Sequence, residues 1–299
     1  MIVGRSRRGP IELLFSLRGS VVPRILPWVG IMTLMSVIVV IVDSMFFPLR
    51  IASASAFAVF GVALSLFLGF RNNAAYERWW EGRKLWGQLI ADSRALARET
   101  ELFLPDDPDR RMSVLKSHMA FLHLHRLNLR QLPPDAAARE WADQALLDAP
   151  HPPCAALDRI TTLLSEARAA GRLDGFGARA LNERFGAIAL AQAGAERIAT
   201  TPLPFVYSLL IYRTSVLYCL LVPFGIVDAA GWMTPLLSAA IAYVFFGLAE
   251  VTEELDRPFG KTANCLPLDA MCRTVEISLA PHLGREPPKP LAPVKSFLS

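Results

Sequence analysis

A chain of 299 residues does chemistry through nucleophiles, metal ligands or charges at usable spacings, and this one offers few. It has no G-x-S-x-G, Walker A or G-x-G-x-x-G run, so neither a nucleophile elbow nor a phosphate-cradling loop is in place, and an enzyme is not expected. Of His118, His123 and His125, only the first and last share a helix face. Without HExxH or CxxC they read as packed or solvated histidines and not as ligands. Glu250, Glu253, Glu254 and Asp256 form an acidic cluster. Three of these, at i, i+3 and i+4, could hold a hard cation through oxygen, although such runs more often pair with arginines or face water. No metal and no cofactor is expected. Cys154, Cys219, Cys265 and Cys272 form no CxxC and no disulfide-dense pattern, which points to a reducing compartment.

Two features remain. Val62, Leu66 and Phe70, with Ala58 before them, fall at i, i+4, i+8 along one stripe of a helix. Such a stripe either packs on neighbouring helices or lipid, or lines a pore whose apolar constriction gates by dewetting. Spacing alone leaves both open. Arg213 is the one basic residue inside an apolar segment; it marks a functional site or, if its helix starts near Pro202, snorkels to the membrane interface.

The elements that position these residues are membrane spans. The chain is 53% hydrophobic and only 19% charged, with mean hydropathy +0.35, against about a quarter charged in soluble domains. Secreted, collagenous and disordered classes are excluded, and a net charge of +4 is too mild for nucleic-acid binding. Uncharged runs cover Ile25–Val42 (18 residues), Ile51–Phe70 (20), Thr214–Val227 (14) and Ala229–Ala249 (21). A bilayer core of about 30 Å takes roughly 20 helical residues, so four spans are expected, the third drawing on Pro204–Tyr212 and kinking at Pro223. Small residues on the second span (Ala52, Ser53, Ala54, Ser55, Ala56, Ala58, Gly61, Ala63) favour close helix approach. The first run is longer than an h-region, lacks a cleavage site and leads at once into a second span, so a signal peptide is not expected.

Five arginines precede residue 25, 18 basic residues lie in 71–199 and six follow residue 249, whereas the short connections hold only Arg50. The positive-inside rule places both termini and the middle block in the cytoplasm, the N-terminal arginines being the better vote. The block 71–199 reads as helical: Arg71–Phe103 up to the Pro105–Pro108 stop, Met112–Leu132 up to Pro133-Pro134, a loop around His151-Pro152-Pro153, then Leu157–Ala170 and Gly177–Ala199. Pro281–Ser299 holds five prolines and reads as an extended tail. The expected organisation is therefore a cytoplasmic N-terminus (1–24), spans one and two (25–70), a helical cytoplasmic domain (71–199), spans three and four (200–249) and a cytoplasmic C-terminal segment with its tail (250–299).

The stretch Gly69-Phe70-Arg71-Asn72-Asn73-Ala74-Ala75-Tyr76-Glu77-Arg78-Trp79-Trp80-Glu81-Gly82-Arg83 resembles the bestrophin family, in particular its bacterial branch. Glu196-Arg197-Ile198 followed by Thr201-Pro202-Leu203-Pro204-Phe205-Val206-Tyr207 is similar to the family's entry into the third span. Glu253-Glu254-Leu255 with Pro258-Phe259-Gly260 is similar to its segment after the fourth. The motifs, in this order, run over nearly the whole chain.

The resemblance implies an all-α membrane protein of four transmembrane helices per subunit plus a helical cytoplasmic domain, a homopentamer around a central pore in the bacterial inner membrane. It implies that Val62, Leu66 and Phe70 line an apolar neck, and that a second, cytoplasmic constriction uses one apolar side chain, which counting back from Pro204 puts at Phe176. Animal members follow the P-F-G segment with acidic residues that help clasp calcium. Here Lys261-Thr262-Ala263-Asn264-Cys265 takes that place, and Asp269 alone does not replace the run, so activation through that clasp is not expected. The neck has no ionisable side chain, and kinship with the bacterial branch favours monovalent cations over chloride. The function expected is a passive ion channel whose partners are permeant ions, the bilayer and further copies of itself. The alternative from another class is a non-conducting membrane scaffold or sensor whose cytoplasmic block binds a partner; a secondary transporter would need repeats that are not evident.

Overall fold

A computed structural model describes residue 1 and residues 16–17, 19–48, 54–294 and 297–298. Arg5, Arg7, Arg8 and Arg18 of the N-terminal orientation signal, together with Arg50, Ala52 and Ser53, lie outside the described residues. The described chain is helical: α1 (Val22–Met45), α2 (Ala54–Phe103), α3 (Pro108–Arg130), α4 (Ala136–Trp141), α5 (Gln144–Leu147), α6 (Pro152–Ala169), α7 (Gly175–Thr200), α8 (Phe205–Ala230), α9 (Thr234–Asp256) and α10 (Leu268–Leu279), with 3₁₀ turns at Gly231–Met233 and Pro281–Leu283. Among the described residues no strand forms beyond one bridge between Val294 and Phe297. The chain divides into two compact units. One contains Met1–Val3, Trp80–Thr201 and Pro258–Ser299; the other contains Gly4–Trp79 and Pro202–Arg257.

Among the described residues, three helical stretches are long and apolar enough to cross a membrane: Val22–Met45, Ser55–Phe103 and Phe205–Asp256. The last breaks at Gly231–Met233, where Gly231 adopts φ +49°. Its arms α8 and α9 pack along each other, Tyr218 meeting Phe245 edge-on at 5.3 Å between ring centroids.

In this unit α1, α8 and α9 pack on one another, with Leu64 and Leu68 of α2 joining Met32, Ile211, Tyr218, Val222, Phe245 and others in one buried cluster. Within a bilayer apolar burial alone gains little, because lipid is as apolar as leucine; close packing and internal hydrogen bonds hold such helices together. The sequence supplies both. Gly61 and Gly225 let α2 and α8 approach so closely that an added Cβ would strike the Tyr218 hydroxyl at the first and the Phe57 ring at the second. The Tyr218 hydroxyl donates to the Phe57 carbonyl at 3.2 Å, and the buried hydroxyls of Ser36 and Ser238 lie 3.2 Å apart.

The second unit is organised around α3. Nearly every side chain from Val114 to Leu129 is buried, because α6 packs along this helix while α4, α7 and α10 also contact it. Helix starts are set by side-chain caps. Asp107, Asp135, Asp143, His151 and Asp174 each accept a first-turn amide, for instance Arg110 N–H at 3.2 Å onto Asp107, satisfying donors that the helix leaves free. The His151-Pro152-Pro153 segment, read from sequence as a loop, starts α6, with His151 as cap and Pro152 at the first position, where proline's missing N–H costs nothing.

Candidate functional site

The stripe on α2 comes first. Val62, Leu66 and Phe70 are exposed at 60%, 57% and 66%, whereas Leu64 and Leu68 are buried against the cluster on the opposite side. A helix rising about 1.5 Å per residue spaces such a triplet over roughly 12 Å. The exposed face holds no charge along the triplet. Arg71 directly follows Phe70 but is buried, its Nη2 donating to Ser208 Oγ at 2.8 Å and lying 3.5 Å from Glu253 Oε2. Further along, Asn73 and Glu77 are exposed and continue the same face by helical spacing, making Glu77 its first charged side chain. Sequence reasoning did not single out either residue. The signal available was the continuation of the i, i+3/i+4 pattern beyond Phe70.

Phe176, at the second position of α7, is 85% exposed. It belongs to the other unit, just after the Asp174 cap.

The acidic cluster is drawn to arginines. Arg24 Nη1 donates to Glu250 at 2.7 Å and Glu254 at 2.8 Å; Glu253 faces Arg71; Arg78 Nε lies 3.0 Å from Asp256. Among the described residues no group of three or more His, Cys, Asp or Glu side chains is placed to hold a metal ion. Arg213 is exposed on α8.

The three histidines of α3 all sit in its buried core. His118 Nε2 lies 2.8 Å from Ser93 Oγ. The His125 ring stacks between Trp86 and Phe121, with centroids 5.7 and 5.6 Å away. Burial pushes His118 down to about 4, and burial followed by the charge of His151 pushes His125 down to about 3, so both are neutral at physiological pH. The carboxyl of Asp269, which burial alone would raise, is held below its ordinary range by hydrogen bonds from Arg130 and Arg126. In the stretch after Pro258-Phe259-Gly260, therefore, two guanidiniums occupy the Asp269 carboxylate.

Long apolar helices, one of them carrying an exposed uncharged stripe, with a polar helical unit in the same chain, make an α-helical membrane protein. The chain belongs to the bacterial and fungal bestrophin family, whose model matches residues 1–281; this is a family of ion channels and not of enzymes. A voltage-dependent anion channel-forming protein of Mesorhizobium japonicum is 44% identical over 303 residues, covering 100% of this chain and 97% of that protein. The voltage-dependent anion channel-forming protein YneE of Escherichia coli K12 is 38% identical over 284 residues, 93% of each. The crystal structure of a bacterial bestrophin homologue from Klebsiella pneumoniae superposes with a TM-score of 0.83 at 34% identity, covering 88% of this chain and 100% of that one.

Proposed function

We propose that this protein forms a homopentameric channel in the bacterial inner membrane and passes monovalent ions through a neck built by Val62, Leu66 and Phe70 of five α2 helices. The observation that carries the proposal is the exposed, uncharged triplet on α2 set against buried Leu64 and Leu68. A lipid-facing stripe would also be apolar. What favours the pore is that this stripe coincides with the neck implied by the family motif at Gly69-Phe70. Three apolar rings stacked over roughly 12 Å make a passage that wets poorly and gates by drying.

Each subunit crosses the membrane four times in this reading, on α1, the first part of α2, α8 and α9, with both termini and the helical block 71–199 in the cytoplasm. Phe176 supplies a second constriction there. The sign of the permeant ion is where kinship and names diverge. The bacterial resemblance pointed to cations, but the Mesorhizobium and Escherichia relatives are named for anions, so the cation preference finds no support there and we take anions as the permeant class. The neck carries no charge that would oppose either sign. The test is the reversal potential of the purified protein in planar bilayers under a NaCl gradient. Anion conduction places it near the chloride equilibrium potential, and a value near the sodium potential overturns the assignment while keeping the channel. Silence from a preparation shown to be pentameric removes the channel itself.

A further inference from the structure

A cavity of about 390 Å³ opens at one end of the α1/α8/α9 unit, where the apolar runs stop. Its charged lining residues adjoin those runs: Arg24 precedes Ile25, Arg71 follows Phe70, and Glu250 follows Ala249. This is headgroup depth in a bilayer, and Trp28 and Tyr212, packed edge-on at 6.2 Å between ring centroids, line the cavity as such residues do at membrane interfaces.

Arg71 is the decisive side chain. It is 5% exposed, its Nη2 is engaged by Ser208, and its Nε is buried without any hydrogen-bond partner. Buried donors of folded proteins are almost always satisfied, and on a guanidinium the fitting partner is a phosphate or carboxylate oxygen. Among the described residues no side chain supplies one. Glu253 reaches only Nη2, at 3.5 Å, and is itself 52% exposed. Together, Arg24 and Arg71 bring two positive charges to the cavity, while Glu250 and Glu253 bring two negative ones. A purely anionic ligand would meet the guanidiniums only by also facing these carboxylates. A zwitterion satisfies both sets.

We propose that this cavity binds a phospholipid whose headgroup combines a phosphate with a primary ammonium. The phosphate accepts from Arg71 Nε, the ammonium donates to Glu253 while Glu250 stays paired with Arg24, and the acyl chains leave along Trp28 and Phe246. This reading requires only that the unit lies in a membrane and is independent of whether the protein conducts.

The test is native mass spectrometry of the purified full-length protein given equal amounts of phosphatidylethanolamine, phosphatidylcholine and phosphatidylglycerol with identical acyl chains. Phosphatidylethanolamine is retained roughly tenfold better than phosphatidylcholine, which cannot donate to a carboxylate, as expected for one charge-assisted hydrogen bond. Glu253→Gln, at a half-exposed site that the fold tolerates, brings the two to equal retention. Arg71→Gln releases both. Equal retention of all three lipids by the unaltered protein, preference for phosphatidylglycerol, or an unchanged preference in Glu253→Gln would overturn the proposal.

Discussion

The two buried neutral histidines of α3 make the unit built around that helix sensitive to acid in a calculable way. His118 and His125 are pushed down to about 4 and about 3, whereas in the unfolded chain each takes up its proton near 6.5. The unfolded state therefore binds more protons throughout the interval between, and stability is complete above about 6.5 and is lost as the pH falls below it. At pH 5 each histidine costs about 2 kcal/mol relative to pH 7.5 by this linkage, so the pair removes about 4 kcal/mol. Asp135 and Asp269 do not confuse the measurement. Burial alone would raise them, but hydrogen bonds (from the Ala138 amide and Arg126 to Asp135, from Arg130 and Arg126 to Asp269) hold both below the ordinary range, and they stay ionised across the window. Glu196 Oε1, 3.8 Å from His125 Nδ1, is the nearest carboxylate. The assay is denaturant unfolding of the purified protein in detergent at both pH values, followed by tryptophan fluorescence, since Trp86 stacks on His125. His125→Phe keeps a flat ring between Trp86 and Phe121 and removes the titrating nitrogens, so the pH-dependent loss falls by about half, whatever the variant's absolute stability. An unfolding free energy equal at the two pH values, or a full pH effect surviving in His125→Phe, would refute the reasoning.

Other consequences follow from packing and charge. Gly225→Ala places a methyl group in the Phe57 ring and destabilises the membrane unit by about 1–3 kcal/mol, seen as a lower melting temperature in detergent; adding Phe57→Ala recovers part of the loss by vacating the space. Asp269→Asn removes the carboxylate of Arg130, while Arg126 keeps Asp135, and costs about 3 kcal/mol, measured by the same melt. Because the clasp region holds arginines on its carboxylate, channel currents are expected to be unchanged when a chelator removes calcium, and currents abolished by chelation would contradict that reading.

Much of the fold is legible in the sequence because membrane spans and helix stops are local signals. The uncharged runs anticipate α1, α8 and α9, and Pro133-Pro134 ends α3, which closes at Arg130 with Gln131 at φ +52°. The continuity of α2 over 50 residues is harder to read. At Arg71 the environment changes from apolar to charged, and a change of environment looks like a boundary, although no proline or paired glycine breaks the helix there. The short helices α4 and α5 escape periodicity because each is barely a turn or two, held by the caps of Asp135 and Asp143. Helix α10 was not read from the sequence, although Leu268, Met271, Cys272, Val275 and Leu279 repeat at helical spacing and are all buried. For the site, the spacing of Val62, Leu66 and Phe70 was plain, but which face of α2 is exposed depends on where Leu64 and Leu68 pack, a long-range fact. The partners of the acidic cluster were equally invisible, since Arg24 and Glu250 are 226 residues apart.

The central claim is that Val62, Leu66 and Phe70 form the ion pathway's narrow, poorly wetted neck. Single-channel recording of the protein carrying all three as alanine, beside the unaltered protein in the same bilayer, tests it most directly. Conductance and open probability rise, with the reversal potential unmoved, if these side chains constrict and dry the pore. Single-channel currents identical to those of the unaltered protein would take all three residues out of the pathway.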